Sequence, residues 1–425
     1  NYSLVTNIFL RNNMKKTTQL PWLSPFSSHK GLLTVGGIGL DHIEKLVGGT
    51  PFYAYDKKIV AQAITQLQSI LPNEIQLHYA IKANPLPSLI KFLTSKVQGF
   101  DVASKQEMLL ALQSGMPSDA ISFAGPGKSP TDIEAAIIAG VTLHIESTTE
   151  LNRAITLSKA LAIKPRIALR INPKFELKAS GMKMAGGAKP FGIDEEELPK
   201  LLTTIPYNDV YFRGFHIFAG SQNLNASALI DMHNQTFQLA EKLIKLTPVT
   251  LDYINIGGGL GIPYFPNEKT LDTPAVGENL HRLIKKHKEH LKHTSIVMEL
   301  GRYLVGEAGI YVCKVTDKKT SRGTTYLVCD GGLHHHLANS GNFGQVLRRN
   351  YPISIGNKMD LTTNEMETST IVGPSCTPLD ILADKVLLPI AEINDYIVIY
   401  QSGAYGASAS PQKFLSHPEL YEIIL

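Results

Sequence analysis

The sequence predicts a (β/α)8 barrel followed by an all-β domain. Between about residues 75 and 302, short apolar runs alternate with segments that can form helices, and eight of these runs end in small, polar or glycine residues. Eight alternating units indicate a closed barrel rather than an open doubly wound sheet. After residue 302 the pattern changes to short β-rich runs separated by Gly, Pro, Asn and Asp, which is typical of a separate β-domain.

The eight predicted strand ends carry the polar residues of the barrel region. In chain order they are 82–84, 101–104, 123–125, 144–147, 170–172, 216–221, 256–259 and 299–302. Segments 131–139, 148–161 and 226–246 are examples of the helices predicted between them. Because the carboxyl ends of barrel strands open onto one face, where catalysis normally lies, we expect these residues to meet there.

The change of pattern also gives the domain boundaries. We expect the barrel at 48–302, the β-domain at 31–47 and 303–425, and an N-terminal extension at 1–30. Met14, which precedes two lysines, is the expected native start. The residues before it lack the apolar core of a signal peptide.

Composition narrows the class of protein. The chain has 425 residues, 43% hydrophobic and 18% charged, as expected for a soluble protein of about two domains. Its formal net charge is only +4, and its densest basic run, 281–288, has the spacing of an amphipathic helix, so we expect no nucleic-acid partner. No apolar run is long enough to span a bilayer, so we expect no membrane association. The three Cys show no paired spacing, which suits a cytoplasmic protein.

Lys82 is the first candidate catalytic residue. It follows the apolar run 77–81, which is predicted to be a buried strand, and prolines stop the strand soon after it. A lysine there is costly unless its charge is removed or held. Desolvation favours the neutral amine, which can attack an aldehyde. The alternative, a lysine that reaches out to solvent, stays open on this segment alone.

Two further strand ends suggest a bound anion and a heterocycle. Gly257–Gly259 follows an apolar strand and can present N–H groups to a phosphate, although a simple tight turn is the alternative. Ile262 stands where a dinucleotide fingerprint requires Gly. Glu299 could bind a protonated ring nitrogen and Arg302 an anionic oxygen, unless the two pair with each other.

Aromatic and thiol groups complete the candidate set. His216 and Phe218 point the same way on one strand, where a ring can stack on a planar ligand or fill the core. Cys376 and Tyr405 lie in loops of the β-domain, where the thiol is either structural or an acid or nucleophile. His334–His336 suggests a metal, but three adjacent His on a strand cannot all face one ion, so we expect no metal site.

Together these motifs resemble the fold-type III pyridoxal-phosphate enzymes, and more closely the diaminopimelate/ornithine decarboxylase family, over about residues 51–418. The resemblance implies an alanine racemase-like barrel, pyridoxal 5'-phosphate as cofactor and a homodimer with shared active sites. It implies that Lys82 forms the aldimine, that Glu299 holds the pyridine nitrogen, and that Cys376 of the partner subunit donates a proton. The other cofactor-binding residues it implies are Asp101, His216, Phe218, Ser221, Gly258, Gly259, Gly301, Arg302 and Tyr405.

The resemblance implies α-decarboxylation of an amino acid or amino-acid derivative, with loss of CO2 and reprotonation by Cys376. Three alternatives are open: diaminopimelate decarboxylation in lysine biosynthesis, an amino-acid racemase, and a non-catalytic carrier of the cofactor. Racemases of this fold usually pair the ring nitrogen with Arg, and the non-catalytic carriers lack a β-domain. Glu299 and the β-domain therefore favour decarboxylation.

Departures from the family pattern bear on the substrate. Phe218 stands where the family usually has a stacking His, Thr377 replaces a common acidic residue, and the usual Arg after 330–332 is missing. Segments 218–224 and 376–380 resemble a subgroup linked to exosortase systems and aminoglycoside side-chain assembly, one member of which decarboxylates glutamate tethered to an acyl carrier protein. We therefore expect a substrate with a modified side chain or one tethered to a carrier protein. The candidate substrate residues are Thr377, Asp380, His334 and Arg348.

Overall fold

The computed structural model describes residues 25–177, 182–265, 267–341, 348–360 and 365–425. Its strands are β1 (Ser27–His29), β2 (Leu32–Val35), β3 (Ile38–Gly39), β4 (Phe52–Tyr55), β5 (Ile75–Ala80), β6 (Gly99–Val102), β7 (Ile121–Phe123), β8 (Thr142–Ile145), β9 (Arg166–Asn172), β10 (Met182–Lys183), β11 (Ile193–Asp194), β12 (Tyr211–Ile217), β13 (Gly220–Ser221), β14 (Tyr253–Asn255), β15 (Ser295–Leu300), β16 (Gly309–Ser321), β17 (Thr324–Cys329), β18 (Ile353–Ile355), β19 (Met366–Val372), β20 (Ile381–Pro389), β21 (Tyr396–Ile399) and β22 (Tyr421–Ile424). Its α-helices are Leu40–Val47, Lys57–Ile70, Pro87–Leu93, Lys105–Gln113, Pro130–Ala139, Thr148–Leu161, Leu198–Thr204, Ala226–Leu246, Thr273–His287 and Arg302–Val305.

Eight parallel strands close into a barrel, which confirms the predicted fold. The strands pair in the order β5, β6, β7, β8, β9, β12, β14 and β15, and β15 returns to pair with β5. β11 adds one short parallel strand to β9 outside the closed ring. All eight carboxyl ends therefore open onto one face of the barrel, as the sequence predicted.

Helices cover the barrel because their inner faces are apolar. On the helix Lys57–Ile70, the buried residues Val60, Ile64 and Leu67 recur at helical spacing. The strands between such helices are buried along almost their whole length, as expected for a parallel sheet that is covered on its outer face.

Serine caps set the point at which three helices begin after their strands. Ser104 accepts a hydrogen bond from the Glu107 N–H, Ser129 from the Asp132 N–H, and Ser147 from the Glu150 N–H. Each bond satisfies one of the amides that the first helical turn leaves without a partner. The chain therefore turns from strand to helix within a few residues, and the strand ends stay close together.

The second domain is a mixed β-sheet built around the long strand β16. The sheet has the order β18-β21-β16-β17-β19-β20, and β4 also pairs with β16 while β22 pairs with β4. Its core contains Tyr311, Cys313, Ile371 and Leu382. The predicted β-domain is therefore confirmed as a fold.

Two segments that precede the barrel in sequence, residues 31–47 and β4, contact the β-domain. Residues 31–47 pack on the β-sheet: the Leu33 N–H donates to the Gly356 carbonyl at 2.8 Å, and Leu40 lies in one apolar cluster with Val398. β4 falls within the range 48–302 that was assigned to the barrel, yet it pairs with β16. Residues 1–24, which hold most of the expected extension and the expected start Met14, lie outside the described residues.

No helix in the described ranges is long and apolar enough to cross a membrane.

We predict that Lys128 stabilises the barrel strongly. Its side chain is 1% exposed, and its Nζ contacts Glu150 Oε1 at 2.7 Å and donates to the carbonyls of Gly125 and His144. Removing one partner of a buried ion pair leaves an uncompensated charge, so Lys128→Met should lower the free energy of unfolding by about 3–5 kcal/mol. The exposed pair Lys159–Asp209 is the control, and Lys159→Met should cost less than about 1 kcal/mol. Equal losses in urea unfolding would contradict this prediction.

Candidate active site

A cavity of about 500 Å³ lies among the carboxyl ends of the barrel strands. Four predicted site residues line it: Lys82, Asp101, His216 and Glu299. They come from β5, β6, β12 and β15 or from the residues that follow those strands. The closed barrel therefore brings together side chains that are far apart in the sequence.

Lys82 lies in the short 3-10 turn Ile81–Ala83 that follows β5. Its side chain is exposed, whereas Ile81 and Ala83 are buried, so the expected burial falls on its neighbours. The Lys82 Nζ lies 5.6 Å from the centre of the Phe218 ring. The amine thus faces the cavity beside an aromatic ring.

The β-domain fixes the turn that carries Lys82. The Tyr405 N–H donates to the Ala83 carbonyl at 2.8 Å, and Asn84 Nδ2 donates to the Gly403 carbonyl at 3.0 Å. The Arg302 guanidinium lies 4.7 Å from the centre of the Tyr405 ring and donates through Nη1 to the Tyr264 hydroxyl at 2.7 Å. Arg302 and Tyr405 are therefore neighbours of each other, next to the lysine turn.

Glu299 is a buried carboxylate with two side-chain partners. His216 Nε2 lies 3.3 Å from its Oε1, and Asn255 Nδ2 donates to its Oε2 at 2.9 Å. Burial alone would raise the pKa of Glu299, but the neighbouring His216 and Lys82 outweigh it and lower this pKa. Glu299 is therefore held in the anionic form.

Asp101 is the second buried carboxyl of the cavity, and its pKa is shifted in the opposite direction. It accepts a short hydrogen bond from the Ser122 hydroxyl, while its other oxygen has no partner among the described residues. Burial, and then the proximity of Glu299, raise the pKa of Asp101 well above its usual range. Of the two buried carboxyl groups in the cavity, the surroundings therefore favour the ionised form of Glu299 and the protonated form of Asp101.

The glycine loop after β14 fits closely between two strand ends. Gly257 has a left-handed backbone with φ +71°, and a Cβ on Gly258 would lie 2.0 Å from the Glu299 carbonyl oxygen. A Cβ on Gly259 would lie 3.2 Å from the carbonyl of Gly220, which immediately precedes Ser221. A Cβ on Gly301, two residues after Glu299, would lie 2.7 Å from the Cβ of Ala83. Only glycine fits at Gly258, and the loop presents its backbone next to Ser221.

Arg170 and Phe191 line the cavity but were not predicted as site residues. Arg170 follows the predicted strand pattern, pairs with Glu146 at 2.8 Å, and lies 5.2 Å from the Phe191 ring and 6.0 Å from the Phe218 ring. Its position at a predicted strand end was the one feature of the sequence that indicated a place in the site. Phe191 lies between β10 and β11, where no periodic pattern marks its position.

The Cys376 loop, residues 373–380, is shaped by Asp380. Asp380 is buried and accepts hydrogen bonds from the N–H groups of Leu333 at 2.6 Å and Ser375 at 2.9 Å. The Thr377 hydroxyl accepts from the Leu379 N–H at 3.3 Å, and Cys376 is exposed. Within the described part of this single chain, none of these loop residues lines the Lys82 cavity.

His334 and Arg348 also lie in the β-domain, outside that cavity. The three adjacent His occupy a turn rather than the expected strand: His336 bonds Ser402, and His334 stacks on His417 with ring centres 4.5 Å apart. Arg348 donates to the Ile381 carbonyl at 2.5 Å. In the ranges that the structure covers, no group of three or more His, Cys, Asp or Glu could hold a metal ion.

Comparison with known proteins identifies the family. Residues 57–306 match the profile described as "Pyridoxal-dependent decarboxylase, pyridoxal binding domain". The chain belongs to this family. It is therefore a pyridoxal-phosphate-dependent decarboxylase, a carboxy-lyase that acts on an amino acid or an amino-acid derivative.

Three relatives illustrate the range of this family. The chain is 35% identical to the L-glutamyl-[BtrI acyl-carrier protein] decarboxylase of Niallia circulans, over 88% of each chain. It is 29% identical to the 2-[(L-alanin-3-ylcarbamoyl)methyl]-2-hydroxybutanedioate decarboxylase of Staphylococcus aureus, over 86% of this chain and 92% of the relative. The crystal structure of Helicobacter pylori diaminopimelate decarboxylase complexed with L-lysine superposes with a TM-score of 0.79 at 28% identity, over 90% of this chain and 94% of the other.

The cavity has the groups that this cofactor requires. The amine of Lys82 and the carboxylate of Glu299 line one cavity, Gly258 of the glycine loop packs against the Glu299 carbonyl, and the buried ring nitrogen Nδ1 of His216 has no partner among the described residues. The cofactor needs a lysine for covalent attachment, a partner for its ring nitrogen and donors for its phosphate. The residues present therefore fit pyridoxal phosphate.

We predict that Lys82 is the covalent attachment residue. Borohydride reduction of the holoenzyme should fix the cofactor, and peptide mass analysis should find it on the peptide that contains Lys82. Lys128 is the matched control, because it lines the same cavity but is committed to Glu150. Lys82→Ala should lose the label, whereas label on Lys128 in the unmodified protein would contradict the assignment.

Proposed function

We propose that the chain decarboxylates an amino acid whose distal end is derivatised, and that an L-glutamyl group on an acyl carrier protein is the favoured substrate. The observation that carries this proposal is the Cys376 loop, residues 373–380, in which no acidic group is free. Thr377 stands at the position where the family commonly has an acid. The relative from Niallia circulans, 35% identical, acts on a glutamyl carrier protein by its name.

The loop explains why a free diamino acid would bind poorly. Asp380 is the one acidic residue of residues 373–380, all of which the structure describes, and both of its oxygens accept backbone N–H groups. An ammonium group brought to this loop would find no carboxylate partner. A buried charge without a partner costs several kcal/mol in cases of this type. A neutral thioester or amide has no such requirement.

We assign the catalytic roles from the position of each residue. Lys82 would hold the cofactor covalently and release it to the substrate amine, and Glu299 would hold the ring nitrogen of the cofactor in its protonated form. Gly258, Gly259 and Ser221 bind the phosphate. When bound, the cofactor supplies the electron sink for the bond broken at Cα.

Cys376 is the proposed proton donor, and it acts in the cavity of a second copy. It is exposed on the β-domain and does not line the cavity of its own described chain. General acid catalysis requires the donor within hydrogen-bond reach of the reacting atom. A homodimer in which each β-domain covers the partner's barrel would provide that reach.

The other functions considered are not favoured. A racemase or a non-catalytic carrier of the cofactor does not fit a chain that belongs to the decarboxylases. Diaminopimelate decarboxylases are among its relatives. Binding diaminopimelate requires a charged group that recognises the distal end of the substrate, and Thr377 is not charged. Lysine biosynthesis is therefore the weaker assignment.

Substrate preference is the first test. We expect kcat/KM for glutamyl carrier protein to exceed that for free glutamate by about 100-fold, equivalent to about 2.8 kcal/mol of additional binding. Free diaminopimelate, lysine, ornithine and arginine should be poor substrates in the same assay of CO2 release. Turnover of free diaminopimelate with kcat on the order of 1–10³ s⁻¹ would refute the proposal and assign the chain to lysine biosynthesis.

Shared active sites are the second test. Neither Lys82→Ala nor Cys376→Ala chains should turn over substrate efficiently alone, but mixed heterodimers should regain up to one working site. Mixing two batches of Lys82→Ala chains is the control and should restore nothing. Absence of complementation in verified heterodimers would show that Cys376 does not act across an interface.

A further inference from the structure

The side chain of Asn255 contacts both Glu299 and the glycine loop that begins at Gly257. It ends β14 and is fully buried. Its Nδ2 donates to Glu299 Oε2 at 2.9 Å, and its Oδ1 accepts from the Gly257 N–H at 2.8 Å. One amide side chain thus contacts both the carboxylate and the glycine loop.

The two bonds fix the direction of the amide. The Gly257 N–H can only donate, so Asn255 must turn its oxygen toward the loop and its NH2 group toward Glu299. A carboxylate that accepts this donor is stabilised in its charged form. The loop therefore influences the charge of Glu299 through the orientation of Asn255.

A backbone bond closes the same connection. The Glu299 N–H donates to the Gly257 carbonyl at 2.9 Å, so Gly257 and Glu299 are linked once through the main chain and once through Asn255. Gly257 also has a positive φ, which its two hydrogen bonds hold in place. The loop and the carboxylate cannot move independently without breaking one of these bonds.

We propose that Asn255 is a positioning residue that joins the ring-nitrogen end of the cofactor site to its phosphate end. It keeps Glu299 anionic and aimed into the cavity, and it holds the glycine loop in the conformation that receives the phosphate. This inference rests on the roles assigned above to Glu299 and to Gly258 and Gly259, but not on the identity of the substrate.

Two variants separate the two bonds. Asn255→Asp keeps the acceptor for the Gly257 N–H but places a second carboxylate beside Glu299. The pKa of Glu299 should therefore rise, and the acid limb of the kcat/KM profile should move to higher pH. Its Kd for pyridoxal phosphate, from absorbance titration of the apoprotein, should stay within about threefold, because the loop contact remains. Asn255→Leu loses both bonds, and its Kd should rise by about 10-fold or more.

Asn172 provides a matched control. It is also a buried amide at a strand end, and it donates to Asp194 Oδ1 at 2.7 Å and accepts from the Gly186 N–H at 3.0 Å. Asn172→Asp should leave the pH profile and the cofactor Kd unchanged. An equal response of Asn172→Asp and Asn255→Asp, or an unshifted profile in Asn255→Asp, would overturn the proposal.

The experiment remains decisive if a variant is unstable. If Asn255→Leu does not fold, the smaller variant Asn255→Ala, which also lacks both hydrogen bonds, is titrated in its place, and a cofactor Kd equal to that of the unchanged protein would overturn the proposal. The cofactor titration contains no substrate. A wrong substrate assignment would therefore leave its result unchanged, and the two proposals fail separately.

Discussion

The buried negative charge of Glu299 is the constraint on which the site depends. An ionised carboxylate inside a protein costs several kcal/mol unless donors replace its lost water. Here His216 and Asn255 provide those contacts, and Lys82 lies close enough to favour the charge. Asp101 lies two strands away around the same ring, and burial together with the nearby charge of Glu299 raises its pKa. Of these two neighbouring carboxyl groups, the surroundings therefore favour the ionised form of Glu299 and the protonated form of Asp101.

Strand register determines which residues can support that charge. His216 and Asn255 are paired residues of β12 and β14, so their side chains lie at the same level of the barrel. Glu299 pairs with His78 of β5, and Asp101 pairs with Ala80. Because side chains alternate along a strand, a slip of one residue would turn Glu299 away from both donors. The pairing of apolar neighbours such as Ile254 and Ile296 therefore fixes the register that keeps Glu299 beside its donors, as well as filling the core.

The sequence predicted most of the barrel and part of the site. The helices Thr148–Leu161 and Ala226–Leu246 were predicted with their observed limits, because Ser147 and Asn225 mark their starts and the apolar spacing persists to their ends. The gathering of Lys82, Asp101, His216 and Glu299 followed from barrel closure alone. These features depend on local pattern and on one topological rule.

What the sequence could not predict depends on contacts between distant segments. β4 lies just before the barrel in sequence, and only its pairing with β16 places it in the other sheet. Asp380 was a candidate substrate residue through the family resemblance, and nothing local in the sequence showed that its carboxylate accepts the N–H of Leu333, 47 residues away along the chain. Asn255 looked like an ordinary strand residue, and although Arg170 lay at a predicted strand end, nothing local in the sequence showed that their partners lie on neighbouring strands.

Phe218 limits where the proton for the product can originate. Its ring centre lies 5.6 Å from Lys82 Nζ and 6.0 Å from the Arg170 guanidinium. A phenyl ring attracts a nearby cation through its negative face, whereas a protonated imidazole would repel it. Phenylalanine cannot donate a proton, so this ring can orient a ligand but cannot finish the reaction. The donor is then another group, for which the exposed thiol of Cys376 is the candidate proposed above.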